Sequence, residues 1–215
     1  MTDRRSIAVL VSGAGTNLEA LAGACENDGF PARIDLVVSN RRRCAALDIA
    51  ERRGLATVTM PLPDFGGDLE ARDRAMLEQI NASGAELIVC AGYNRILSAE
   101  FLAAFPDAIL NVHPSLLPAF AGGMDAVEQA LGAGVKVTGC TVQFLEPGET
   151  DGGSIVLQAA VPVREDDDAT SLRQRIHQQE WTLLPQAVEL WCTGRLRREG
   201  RHIRVLPRAP VSAGV

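Results

Sequence analysis

Lysine and histidine are scarce in this chain of 215 residues: Lys136 is its one lysine, and His113, His177 and His202 are its three histidines. Covalent catalysis through a lysine amine could rest on Lys136 alone. A metal centre built on histidine would have to bridge separations of 64 and 25 positions and recruit carboxylates or cysteines as well. No metal is expected. Net positive charge is also missing, with 21 Lys plus Arg against 27 Asp plus Glu, a formal charge of −6. That excludes a general binder of nucleic acid or anionic membrane, since both need a basic surface. There is no C-x-x-C pair. The five cysteines, Cys25, Cys44, Cys90, Cys140 and Cys192, lie in apolar stretches or helical patterns and read as reduced packing residues. No apolar run approaches the ~18 residues of a membrane span. Met1 to Ser6 leads straight into an apolar strand rather than a signal-peptide core, so a cytoplasmic location is expected. Asn81-Ala-Ser83 matches a glycosylation acceptor, which without a secretory signal reads as coincidence.

What is present is enough apolar material, 47% of residues, for one domain spanning 1–215. Ile7 to Val11 is a continuous apolar run closed by a Gly-rich turn, and Asn17 to Cys25 has helical spacing. The alternation continues with strands at Ile34 to Ser39, Ala56 to Met60, Glu86 to Ala91 and Ala108 to Val112. Between them lie helices at Arg42 to Arg53, Leu69 to Ile80 and Ser98 to Phe105, the last capped by Ser98. Five strands alternating with helices predict an α/β fold, an open and mostly parallel doubly wound sheet whose ligands bind beyond the carboxyl ends of its strands. After a helix at Asp125 to Leu131, the β-rich segments Val135 to Leu145 and Ser154 to Val163 predict an antiparallel C-terminal extension. A last helix follows Asp166-Asp167-Asp168, a triplet suited to its N-terminus, and Pro185 is expected to kink it. Arg41 to Arg43 and the Arg-rich stretch Arg195 to Arg208 read as solvated faces or a tail.

Two motifs bear chemistry. Ser12-Gly-Ala-Gly-Thr-Asn17 joins a strand to a helix, so its N–H groups converge where a helix N-terminus favours an anion. A dinucleotide fingerprint needs Gly where Leu18 stands and an acid where Asn40 stands, and a Walker loop needs a lysine. What remains is a phosphate monoester held by Gly15, Thr16 and Asn17, or a tight capped turn. The second motif, Asn111-Val-His113-Pro-Ser-Leu-Leu-Pro118, ends the fifth strand. Asn111 and His113 are two apart and share one side of it. They read either as an oxyanion-stabilising amide beside a general acid or base, or as structural strand-end residues. Asp151, in Gly148-Glu-Thr-Asp-Gly-Gly153, is the candidate carboxylate partner of His113, or else part of a simple Asp-Gly turn. Ser115 lies in a proline-flanked loop without a hydrolase elbow, which leaves an incoming substrate amine as nucleophile.

Taken in order, Ser12-Gly-x-Gly-Thr-Asn-Leu18, Ser39-Asn40, Gly92-Tyr-Asn-Arg-Ile-Leu97, Asn111 to Pro118, Val137-Thr-Gly-Cys-Thr-Val142, Asp151-Gly-Gly153 and Gln179-Glu180 resemble the folate-dependent formyltransferase family. The N-terminal phosphate loop resembles the phosphoribosylglycinamide branch of that family. The resemblance runs to about Gly194 and implies formyl transfer from 10-formyltetrahydrofolate to the amine of glycinamide ribonucleotide, through a tetrahedral intermediate, in purine biosynthesis. It implies that Asn111 bonds the oxyanion and that His113, held protonated by Asp151, assists proton transfer. Gly15, Thr16 and Asn17 would hold the ribotide phosphate and Glu180 its ribose. Arg95, Ile96 and Leu97, with Asn111, would meet the folate.

The implied organisation is a phosphate-binding half at 6–118, a folate and catalytic half at 119–194, and an Arg-rich tail at 195–215. A monomer or homodimer is expected. A formyltetrahydrofolate hydrolase would carry an extra N-terminal domain and a methionyl-tRNA formyltransferase an extra C-terminal one, so the length disfavours both. A non-catalytic folate- or nucleotide-binding module would not need Asn111, His113 and Asp151 together. Two departures from the family pattern stand out. Gln143 replaces a common His, and the loop Ala119 to Asp125 is one residue longer, with Asp125 where His is frequent. Gln143 can donate and accept hydrogen bonds but carries no charge.

Overall fold

The computed structural model describes residues 4–123, 125–148 and 150–208. Met124, Glu149 and residues 209–215 of the expected tail lie outside the described residues, as do residues 1–3. The chain alternates β1 (Arg5–Val11), α1 (Thr16–Cys25), β2 (Ala32–Ser39), α2 (Ala45–Arg52), β3 (Thr57–Thr59), α3 (Leu69–Ala82), β4 (Leu87–Cys90), α4 (Ala99–Ala104) and β5 (Ile109–His113). Then come α5 (Ala126–Gly132), β6 (Val137–Phe144), β7 (Ile155–Pro162), α6 (Ala169–Cys192), β8 (Leu196–Glu199) and β9 (His202–Val205).

β1 to β7 form one sheet in the order β3-β2-β1-β4-β5-β6-β7. The pairs from β3 to β5 are parallel, and β6 and β7 add antiparallel strands, as expected. The run Ile7 to Val11 is apolar at every position because both faces of β1 are covered. Ile7, Val9 and Val11 pack in one core with Leu18 and Leu21 of α1, Ile49 of α2 and Ile176 and Leu184 of α6. Ala8 and Leu10 pack in the opposite core with Met76 and Ile80 of α3 and Phe101 of α4. The chain moves from β1 outward to β2 and β3, then returns across β1 to β4. That reversal opens a crevice above the carboxyl ends of β1 and β4, the place where such sheets bind ligands.

Two expectations change. Helix α2 starts at Ala45 rather than Arg42, because Cys44 is extended (φ −164°) and the Ala46 N–H is drawn to the Gly13 carbonyl at 3.0 Å. Helix α6 runs for 24 residues with Pro185 inside it, flanked by buried Leu183, Leu184, Ala187 and Val188. The stretch expected to be a solvated face or tail folds back as the β8-β9 hairpin, in which Leu196 pairs with Val205 and Glu199 with His202. Asp168 caps α6 by accepting from the Ser171 N–H at 2.7 Å, while Ser98 caps α4 through the Phe101 N–H.

Candidate active site

The Gly-rich turn leaves β1 and enters α1 through Gly15 at φ +78°, a conformation open to glycine at little cost. A Cβ on Gly15 would lie 2.6 Å from the Ala46 Cα, so this glycine lets α2 dock against the turn. Among the described residues no side chain caps the start of α1, and its first N–H groups remain available to an anion. The Asn17 side chain is engaged within the protein. Its Nδ2 donates to Glu180 Oε2 at 2.8 Å in the interior, so towards an anion the residue offers its backbone N–H. Glu180 thereby comes from α6 to the base of the turn, bringing two of the expected substrate-binding residues into contact.

Burial pushes the Glu180 carboxyl above its ordinary value of 4.5, opposed by the Asn17 hydrogen bond and by the positive ends of His177 and His113. A carboxyl raised in the folded state binds more protons there than in the unfolded chain, so stability declines as pH rises from 4.5 through the folded-state value. Glu180→Gln keeps an acceptor for Asn17 and has no such titration. The substitution is expected to remove this component from a plot of melting temperature against pH, and to raise the melting temperature on the neutral side. An unchanged profile would contradict the assignment.

At the end of β5, Asn111 pairs across to Gln143 and His113 to Thr141 on β6, so all four side chains share one side of the sheet. His113 is 5% exposed, with Asp151 Oδ2 3.4 Å from its Nδ1 and the Phe120 carbonyl 3.0 Å from its Nε2. Both ring nitrogens face acceptors, an arrangement that the doubly protonated ring satisfies completely. Asp151 sits at φ +54° and is held on both oxygens: Gly122 N–H donates to Oδ2 at 2.9 Å, and Gln143 Nε2 to Oδ1 at 3.1 Å. Asn111 is half-buried, and among the described residues no protein group bonds its side-chain amide. Ser115 donates to the Ala119 carbonyl at 2.5 Å, a structural commitment.

The Gly92 to Leu97 segment completes the crevice. Asn94 N–H donates to Ser12 Oγ at 2.9 Å, and Asn40 Nδ2 to Asn94 Oδ1 at 3.1 Å, tying the ends of β1, β2 and β4 together. Arg95 and Ile96 are exposed, Ile96 by 72%, while Leu97 is buried. Beneath them lies a buried ion pair of Arg72 and Asp73. Arg72 Nη2 donates to the Ile96 carbonyl at 2.9 Å, and Asp73 Oδ2 accepts from the Ser98 N–H at 2.6 Å. An apolar side chain is thus presented to solvent on a rigid backbone, a fitting wall for a flat ring.

The match to the family described as formyl transferase covers residues 5–188, from β1 into the last third of α6, and includes every one of these groups. The chain belongs to the formyl transferase family. Phosphoribosylglycinamide formyltransferase of Haemophilus influenzae is 38% identical over 193 residues, 90% of either chain. The trifunctional purine biosynthetic protein adenosine-3 of Gallus gallus is 42% identical over 90% of this chain. This chain spans 14% to 19% of the length of such trifunctional relatives. The crystal structure of glycinamide ribonucleotide transformylase 1 from Symbiobacterium toebii aligns with a TM-score of 0.91 at 44% identity, covering 96% of both chains.

The two positions that the resemblance sets apart in this formyl transferase, Gln143 and Asp125, now have surroundings. Gln143 is fully buried and holds Asp151, while among the described residues its Oε1 has no partner. Asp125 is exposed and accepts from Gln129 Nε2 at 2.7 Å on its own helix. Sequence reasoning missed the Arg72–Asp73 pair, which looks like the polar face of an amphipathic helix. The signal that could have exposed it is weak: adjacent opposite charges one turn into α3, ahead of the apolar Met76, Leu77 and Ile80.

Proposed function

We propose that this chain is a phosphoribosylglycinamide formyltransferase, carrying formyl from 10-formyltetrahydrofolate to the amine of glycinamide ribonucleotide in purine biosynthesis. The observation that carries the reading is the meeting of Asn111, His113 and Asp151 at the end of β5, in the same crevice as the uncapped start of α1. When bound, the folate supplies an activated formyl carbon: the substrate amine bonds to it, the bond to the folate nitrogen breaks, and that nitrogen takes a proton.

Each residue then has a role. The N–H groups of Gly15, Thr16 and Asn17 hold the ribotide phosphate. Glu180, fixed by Asn17, meets the ribose. Arg95, Ile96 and Leu97 take the folate ring through backbone groups and an apolar wall, next to Asn111. The Asn111 amide, to which no group among the described residues bonds, donates to the developing oxyanion. The His113 imidazolium, stabilised by the Asp151 carboxylate, adds positive charge and passes its proton toward the departing nitrogen. Its Nε2 reaches substrate once a substrate oxygen takes the place of the Phe120 carbonyl. This division of labour explains how one imidazole, one amide and one carboxylate suffice without a nucleophilic side chain, since the substrate brings the nucleophile.

The test is to incubate purified protein with 10-formyltetrahydrofolate, with and without glycinamide ribonucleotide, and follow both formylated ribotide and formate. Formylated ribotide is expected, with little formate in its absence. Formate release regardless of ribotide would instead establish a hydrolase, and neither product would indicate a non-catalytic binding module.

A further inference from the structure

The arginine-rich C-terminal hairpin touches the loop that carries Asp151. The loop from Glu146 to Gly153 joins β6 to β7, and its two ends are drawn together. Phe144 N–H donates to the Ser154 carbonyl at 3.0 Å, and Ser154 N–H to Glu146 Oε1 at 2.8 Å. Gly153 lies so close to β6 that a Cβ there would be 1.8 Å from the Phe144 carbonyl oxygen. Arg198 of β8 spans this junction. Its Nη1 donates to Ser154 Oγ at 2.7 Å, its Nη2 to Glu146 Oε1 at 3.0 Å, and its guanidinium lies 5.7 Å from the centre of the Phe144 ring. Nη2 also pairs with Asp107 Oδ1 at 2.5 Å, just ahead of β5. Arg201, in the turn of the hairpin, donates from Nη2 to the Gly152 carbonyl at 2.8 Å, one residue beyond Asp151.

We propose that this hairpin is a positioning element for the reaction, in which Arg198 and Arg201 set the backbone of the loop so that the Asp151 carboxylate meets His113. The proposal rests on the formyl-transfer reading. The physical need is evident at Asp151, whose left-handed backbone is costly for a residue other than glycine and persists only where surrounding contacts enforce it. Its carboxylate is fixed by Gln143 and Gly122, while Arg201 fixes the main chain at the next residue. Arg198 brackets the two ends of the loop with bonds from one rigid planar group, which a lysine cannot reproduce. Both arginines bond neighbours of Asp151 in the loop rather than its carboxylate, so they act through it.

The experiment compares Arg198→Ala, Arg201→Ala and the corresponding Lys variants with Arg197→Ala, a control whose guanidinium bonds Glu199 within the hairpin. Steady-state kcat and KM are measured for both substrates, together with the His113 ring resonances by NMR and the melting temperature. Loss of catalytic alignment is expected to lower kcat by roughly tenfold to a hundredfold in Arg198→Ala and by about threefold to tenfold in the exposed Arg201→Ala. KM for the ribotide should stay within about twofold, because the α1 site is separate. Arg201→Lys should recover kcat, since one donor suffices, and Arg198→Lys should not. The His113 resonances should move in both Ala variants in the same sense as in Asp151→Asn, and stay put in Arg197→Ala. Wild-type kcat and resonances in Arg201→Ala, or an equal loss in Arg197→Ala, would overturn the proposal. Absence of formyl transfer in the wild-type protein would overturn the functional reading instead, and the resonances would still report whether the hairpin governs the contact between Asp151 and His113.

Discussion

Asp151→Asn is expected to lower kcat on the order of 10²–10³-fold while leaving ribotide affinity close to that of the wild-type protein. The substitution removes the negative charge 3.4 Å from His113 Nδ1, the counterpart on which the proposed mechanism relies. The donor–acceptor pattern can be kept: Asp151 accepts on Oδ2 from Gly122 and on Oδ1 from Gln143, and an asparagine can hold its oxygen toward Gly122 and His113 while its NH2 donates to the Oε1 of a turned-over Gln143 amide, so the substitution isolates the charge. Backbone strain does not confuse the result, because asparagine tolerates the left-handed region at φ +54° at least as well as aspartate. The measurement is kcat by folate product formation alongside ribotide Kd by calorimetry. A turnover like that of the wild-type protein would remove Asp151 from the mechanism, and a matching loss of ribotide affinity would point to collapse of the site rather than loss of charge.

Gly15→Ala is expected to destabilise the fold severely. A left-handed backbone at φ +78° costs an alanine about 1–2 kcal/mol. A methyl group 2.6 Å from the Ala46 Cα and 2.9 Å from Ile49 Cδ1 adds overpacking of about 1–3 kcal/mol, because the near atom is backbone and cannot swing away. The sum is a large part of the stability of an ordinary domain. Relieving the clash pushes α2 off the turn and displaces the N–H groups at the start of α1, so ribotide binding should fail along with stability. Gly13→Ala is the comparison, since a Cβ at Gly13 meets nothing within 4 Å. Urea midpoints should fall sharply for Gly15→Ala and hardly at all for Gly13→Ala. Equal midpoints would show that α2 does not depend on that glycine.

The strands of the parallel sheet were legible because burial on both faces leaves nearly uninterrupted apolar runs such as Ile7 to Val11, and the turns between them carry glycine and proline. Asn111 and His113 were legible for a related reason: a two-residue spacing at a strand end places both side chains on one side by geometry alone. Asp151 was legible as the candidate partner of His113, but the contacts that hold the site residues were not. Gln143 meets Asp151 across the β6–β7 loop, and Asn17 meets Glu180 across 163 positions, the latter a contact that the packing of α1 against α6 creates. The β8-β9 hairpin was obscured by composition, because Arg195, Arg197, Arg198, Arg201 and Arg204 interrupt the alternation that Leu196, Ile203 and Val205 would otherwise reveal. Arg197, Arg198, Arg201 and Arg204 are held by Glu146, Ser154, Glu199 and the Gly152 carbonyl, partners that make sense of the charge once the loop and hairpin are folded together.

Direct attack by the ribotide amine on the formyl carbon is the central claim, and a single turnover in water enriched in ¹⁸O tests it. Excess enzyme, 10-formyltetrahydrofolate and glycinamide ribonucleotide are mixed, quenched and examined by mass spectrometry. Formylated ribotide carrying the original ¹⁶O of the folate formyl group is the predicted result, since no water adds to the formyl carbon. Formylated ribotide containing ¹⁸O, or ¹⁸O-labelled formate as the main product, would contradict it.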